Sequence, residues 1–124
     1  MATAKILIIE DDPICTGLLL AILGDGYQVT TANSGQVGLE VVNALQPHLI
    51  FLDISMPDVN GYQVMQQLKQ DPGTAAIPII VISALTESFD HDLALKMGAN
   101  GYLNKPIQPQ LIEATLSQYL GKIA

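Results

Sequence analysis

His48-Leu49-Ile50-Phe51-Leu52-Asp53 is a run of four apolar residues closed by a carboxylate, and the chain turns directly after it through Ile54-Ser55-Met56-Pro57-Asp58-Val59-Asn60-Gly61. A short, unbroken apolar run bounded by turn residues reads as a strand covered on both faces. The signature recurs upstream in Lys5-Ile6-Leu7-Ile8-Ile9, which ends in Glu10-Asp11-Asp12, and downstream in Ile79-Ile80-Val81-Ile82, which ends in Ser83. Strands of this kind belong to parallel sheets, whose C-terminal ends share one edge where open α/β folds bind ligands. Two ionised carboxylates about 4 Å apart in such a crevice repel by roughly 4 kcal/mol at an effective dielectric of 20. A hard divalent cation taking oxygen ligands offsets that repulsion, with Mg²⁺ the first candidate and a phosphoryl group its natural companion.

Working outward, short apolar runs alternate with longer amphipathic stretches. Strands are expected near 5–10, 27–32, 48–53, 78–83 and 100–104, and helices near 13–23, 34–45, 60–70, 87–97 and 109–122. Tyr27-Gln28-Val29-Thr30-Thr31-Ala32 mixes polar and apolar positions, which suits an edge strand. Gly24-Asp25-Gly26, Asn33-Ser34-Gly35, Asp71-Pro72-Gly73 and Gly98-Ala99-Asn100-Gly101 are turn signals between the units. Ser34 is placed to cap the second helix and Pro109 to occupy the first turn of the last. The pattern is (βα)5, and right-handed crossovers make it a doubly wound, five-stranded parallel sheet.

Bulk properties narrow the function. The 124 residues fit one domain, 1–124, with no linker, repeat or low-complexity segment, and 49% of them are hydrophobic, so a real core is within reach. No apolar run approaches the roughly 18 residues of a membrane span, and the N-terminus leads straight into a strand rather than a signal peptide. Lone Cys15 excludes an internal disulfide and a cysteine-rich metal site, which suits a reducing cytoplasm. Five lysines face twelve acids, arginine is absent, and the net charge is −7. A nucleic-acid surface built on phosphate neutralisation is therefore not expected in this chain.

Two more strand ends carry chemistry. Ser83 closes the fourth strand, with its hydroxyl expected in the same crevice, and Lys105 closes the fifth in Tyr102-Leu103-Asn104-Lys105-Pro106. A lysine beside the acids can bridge carboxylate to phosphoryl oxygen as a compact point charge. Carboxylates, a hydroxyl and an ammonium thus end strands one, three, four and five.

With these motifs in order, the chain resembles the receiver domain of two-component response regulators over essentially its whole length, in the manner of the single-domain chemotaxis type. The resemblance is carried by Glu10-Asp11-Asp12-Pro13, by Asp53 followed by Met56-Pro57 and Gly61, by Ser83-Ala84, and by Gly98-Ala99-Asn100-Gly101-Tyr102-Leu103-Asn104-Lys105-Pro106. It implies a flavodoxin-like sheet of strand order 2-1-3-4-5. It also implies Asp53 as phosphoacceptor, Glu10 and Asp11 as the acidic metal pair, and the Ser55 carbonyl as a further Mg²⁺ ligand. Ser83 and Tyr102 correspond to the switch hydroxyl and switch aromatic. Lys105 corresponds to the phosphate-pairing lysine, joined to Pro106 by a cis peptide. Glu10 stands where many members carry aspartate, and Ser55 and Leu85 are departures beside the acceptor and the switch hydroxyl. The implied partners are a histidine kinase or histidine phosphotransfer protein and a downstream protein target, with no nucleic acid and no membrane. The implied state is a cytoplasmic monomer, or a weak phosphorylation-dependent dimer. With no output domain, the chain would signal by binding partners, unless it is cut from a longer regulator.

Plainer alternatives stand beside these roles. Asp12 before Pro13 reads as a helix cap, His48 and His91 as solvated surface residues, and Cys15 as a small helix residue rather than a nucleophile. A haloacid-dehalogenase-like phosphatase would want a second acid where Ser55 stands. A flavodoxin-like flavin binder would want hydroxyls and glycines where Glu10-Asp11-Asp12-Pro13 stands. A receiver acting only as a docking module would not need every chemical position filled. In the uncharged stretch Ile14–Leu23, Leu19, Ile22 and Leu23 are expected to be buried. Ile14, Cys15 and Leu18 are then left near the crevice rim beside Pro106, as an apolar docking patch for a helical donor.

Overall fold

The apolar runs become strands and the amphipathic stretches become helices, in strict alternation. A computed structural model describes residues 3–54, 61–84 and 88–121. Its strands are β1 (Lys5–Ile9), β2 (Gln28–Ala32), β3 (Leu49–Asp53), β4 (Ile79–Ser83) and β5 (Gly101–Asn104). Its helices are α1 (Pro13–Leu23), α2 (Gly35–Leu45), α3 (Gly61–Gln70), α4 (Ser88–Lys96) and α5 (Pro109–Leu120). All pairings are parallel, in the order β2-β1-β3-β4-β5. The expected topology is therefore the observed one, with strand ends trimmed by a residue or so. The Ser34 hydroxyl accepts from the Val37 N–H at 3.2 Å, and Pro109 opens α5.

Side chains alternate across a strand, so each central strand feeds two cores. Leu7, Ile9, Ile50, Leu52, Ile79 and Val81 pack against α2, α3 and α4 through Val42, Val64, Met65, Leu68 and Ala94. Ile6, Ile8, Leu49, Phe51, Ile80 and Ile82 pack on the other face against α1 and α5, through Leu19, Leu23, Ile112 and Leu116. β3 and β4 are buried along their whole length, which is why their sequences are apolar without interruption. Each such side chain contributes about 1.5–3 kcal/mol by leaving water. β2 lies at the edge and is only partly buried, as its mixed sequence anticipates. Gly38 brings α2 onto β1: a Cβ there would stand 2.5 Å from Ile9 Cδ1.

Two expectations about side chains need correction. His48 is not a solvated surface residue. It is half-buried, its Nδ1 accepts the Lys5 N–H at 2.9 Å, and its own N–H donates to the Lys5 carbonyl at 2.8 Å. The first amide of β1 needs an acceptor, and the imidazole supplies it. In α1, Cys15 belongs to the buried stripe with Leu19 and Leu23, whereas Ile22 is only half-buried. Ile14 and Leu18 do face outward, at 73% and 45% exposure.

Candidate functional site

Register decides which residues meet. Ile9 pairs with Leu52, so Glu10 and Asp53 leave adjacent strands side by side. Ser83 pairs with Asn104, so Lys105 follows one residue beyond and donates its N–H to the Ser83 carbonyl at 2.8 Å. β1, β3, β4 and β5 thus deliver their terminal residues to one edge, and the expected convergence is present.

Carboxylate oxygens of Glu10, Asp11 and Asp53 all lie within 4.8 Å of one another. Glu10 and Asp53 are almost wholly buried and Asp11 is exposed. The Lys105 ammonium sits 2.8 Å from Glu10 Oε1 and 3.6 Å from Asp53 Oδ2. Burial pulls the Lys105 pKa down, but contact with Glu10 and the negative charges of Asp53 and Glu10 outweigh it, and the net direction is upward. Three carboxylates against this one ammonium leave an excess of negative charge. Glu10 Oε2 accepts the Asp12 N–H at 3.3 Å, whereas buried Oε1, in ionic contact with Lys105, has no directed hydrogen-bond partner among the described residues. Hard oxygen donors, surplus negative charge and an incompletely satisfied buried oxygen fit a divalent cation such as Mg²⁺.

The remaining expected residues take definite places. Asp12 Oδ1 accepts from the Ile14 N–H at 3.0 Å, so it caps α1 as the plainer reading has it. Ser83 ends β4 fully buried, Tyr102 is half-buried on β5, and the Lys105–Pro106 peptide is cis. Ser55, Met56, Pro57 and Leu85 lie outside the described residues. Gly61 presses α3 against the acceptor strand: a Cβ would fall 2.3 Å from Ile54 Cα and 2.6 Å from the Asp53 carbonyl oxygen.

Two neighbours of the site were not legible as such. The Cys15 thiol lies against the acids, its pKa pushed up to about 12 by burial, by its hydrogen bond to Glu10 and by that carboxylate's charge. It stays a neutral thiol, in line with the reading that it is no nucleophile. His91 on α4, exposed as expected, meets the Tyr102 ring edge-on with centroids 5.1 Å apart. No local pattern marks either contact: Cys15 reaches back across the turn between β1 and α1 to Glu10, and His91 meets Tyr102 of the next element, through packing that sequence periodicity does not encode.

Comparison with known proteins agrees with this geometry. Residues 6–117 match the response regulator receiver domain. PilH of Pseudomonas aeruginosa is 34% identical over 118 residues, covering 94% of this chain and 98% of PilH. The transcriptional regulatory protein AfsQ1 of Streptomyces coelicolor is 34% identical over 115 residues. That alignment takes in 93% of this chain, which spans only 50% of AfsQ1. Among solved structures, the receiver domain of the sensor histidine kinase PA1611 from Pseudomonas aeruginosa has magnesium coordinated in its active-site cleft. It superposes with a TM-score of 0.87 at 26% identity, covering 97% of this chain and 99% of that one. Fold, strand-end chemistry and sequence converge, and the chain belongs to the response regulator receiver family, the phosphorylation-activated domains of two-component signalling.

Proposed function

We propose that residues 1–124 act as one receiver unit that takes a phosphoryl group from a partner's phosphohistidine onto Asp53. The reading is carried by one observation above all: the carboxylates of Glu10, Asp11 and Asp53 gathered within 4.8 Å beside the Lys105 ammonium. An Asp53 oxygen attacks phosphorus in line, forming the O–P bond of an acyl phosphate while the P–N bond breaks and its electron pair stays on the donor imidazole. Mg²⁺, held by Glu10, Asp11, Asp53 and the Ser55 carbonyl, would supply charge neutralisation for the transferring oxygens. Lys105 exchanges part of its pairing with Asp53 for a phosphoryl oxygen. The Ser83 hydroxyl turns to the new anion, Tyr102 follows it inward, and Lys105-Pro106 moves with them. The surface of α4, β5 and α5 thereby changes for a downstream protein target. Water later cleaves the anhydride. The domain assists its own phosphorylation and reset, turns over no external substrate, and works as a cytoplasmic monomer or a weak phosphorylation-dependent dimer.

The proposed donor is a histidine kinase or histidine phosphotransfer protein docked on α1. Ile14, Cys15 and Leu18 line a cleft of about 360 Å³ with Pro106 and Ile107, and Asp12 and Lys105 complete its lining. The net charge of −7 opposes a second copy on that face.

Incubation with acetyl phosphate and Mg²⁺ should give a shifted band on a phosphate-affinity gel that EDTA or Asp53→Asn abolishes. A shifted band in the Asp53→Asn protein would overturn the assignment.

A further inference from the structure

We propose that His91 is the positioning residue for Tyr102, an aromatic latch that sets how readily the domain switches. The inference rests on the switch reading of Tyr102 given above. Val81 pairs with Tyr102 and Ser83 with Asn104 in the parallel register, so Tyr102 and Ser83 project to the same face of the sheet, the face covered by α4. Ser83 is fully buried, and Tyr102 is half-buried at the margin of that core. The His91 ring stands over that margin from α4, with centroids 5.1 Å apart and the planes at 86°, the edge-to-face arrangement that aromatic quadrupoles favour. Asp92 Oδ1 lies 3.8 Å from His91 Nδ1.

The contact belongs to the half-exposed placement of Tyr102. Turning that ring inward toward Ser83 carries it away from an exposed residue of α4 and breaks the edge-to-face pair. His91 therefore favours the outward placement, and an edge-to-face pair supplies a factor of about two to ten in such an equilibrium. By linkage, any ligand that prefers the inward placement binds more weakly by the same factor while the latch is present.

The test uses the full chain labelled with 3-fluorotyrosine, whose four tyrosine signals are assigned with Tyr102→Phe. Beryllofluoride with Mg²⁺ serves as the acyl-phosphate mimic. In His91→Ala, the Tyr102 fluorine signal in metal-free protein should move toward its beryllofluoride-bound position. Apparent affinity for beryllofluoride should rise about two- to tenfold. His91→Phe, which keeps a ring, should stay near the wild type in both readouts. The latch is overturned if His91→Ala leaves both unchanged or moves them the other way, or if His91→Phe departs as far as His91→Ala. Should beryllofluoride leave the wild-type Tyr102 signal unmoved, the switch reading fails instead, and the latch with it.

Discussion

Asp53→Asn should make the metal-free protein more stable, although it removes the residue on which the proposed chemistry depends. Asp53 is 2% exposed and lies within 4.8 Å of both Glu10 and Asp11 carboxylate oxygens. At an effective dielectric of 20, each of those repulsions costs about 3.5 kcal/mol. The Lys105 ammonium at 3.6 Å returns only about 4.5 kcal/mol on the same scale. The ionised side chain is thus left at a disadvantage of about 2.5 kcal/mol, which the isosteric amide escapes. For a domain of this size that corresponds to a rise in Tm of about 6–10 °C. Thermal and urea unfolding of both proteins in EDTA measures it directly. Titrating Mg²⁺ should then narrow the gap, because a ligand bound by the folded wild type adds stability in proportion to ln(1 + [L]/Kd). If Asp53→Asn proves equally or less stable than the wild type in EDTA, the electrostatic account of the site is wrong.

Cys15, its thiol pKa raised to about 12, should react with a disulfide reagent at pH 8 at least about 30-fold more slowly in the folded than in the unfolded chain, the smaller thiolate fraction being only partly offset by its greater nucleophilicity. Equal rates would place the thiol outside the acid pocket. The raised pKa of Lys105 has a definite sign: its stabilisation is fully present below the ordinary lysine value of 10.5 and is lost as pH rises through the higher folded value. Urea unfolding at stepped pH should show Lys105→Met less stable than the wild type at pH 8, with the difference shrinking above pH 10.5; a pH-independent gap counts against it. Leu18→Asp should slow transfer from a cognate histidine donor about tenfold or more while acetyl phosphate still labels Asp53, as expected when a central apolar contact is lost. Parallel loss of both reactions would point to damage beyond docking.

The fold was readable because β1, β3 and β4 are covered on both faces, so their apolar runs carry no ambiguity of phase. The site was readable for a related reason: Glu10, Asp53 and Ser83 each interrupt apolar sequence at the point where a strand leaves the core, and Lys105 follows directly on the end of β5. α1 was harder. Ile14–Leu23 carries no charge, so helical periodicity cannot decide which side turns inward: Cys15 lines the cleft beside Pro106 with Ile14 and Leu18 as expected, yet it is buried with Leu19 and Leu23. His48 was misjudged because its partner, the Lys5 amide, lies 43 positions away and leaves no mark in local sequence. The meeting of His91 with Tyr102 depends on how α4 settles over β5, a matter of tertiary packing rather than pattern.

The closeness of Gly61 to the acceptor strand has a mechanical consequence. With less than a Cβ contact distance between the start of α3 and the peptide joining Asp53 to Ile54, that flank has no slack to take up. The opposite flank is built differently: β5 is only partly buried along its length and borders solvent as an edge strand. On the α3 side, a load placed on Asp53 meets an anvil, and what makes it one is that a single methyl group cannot fit there.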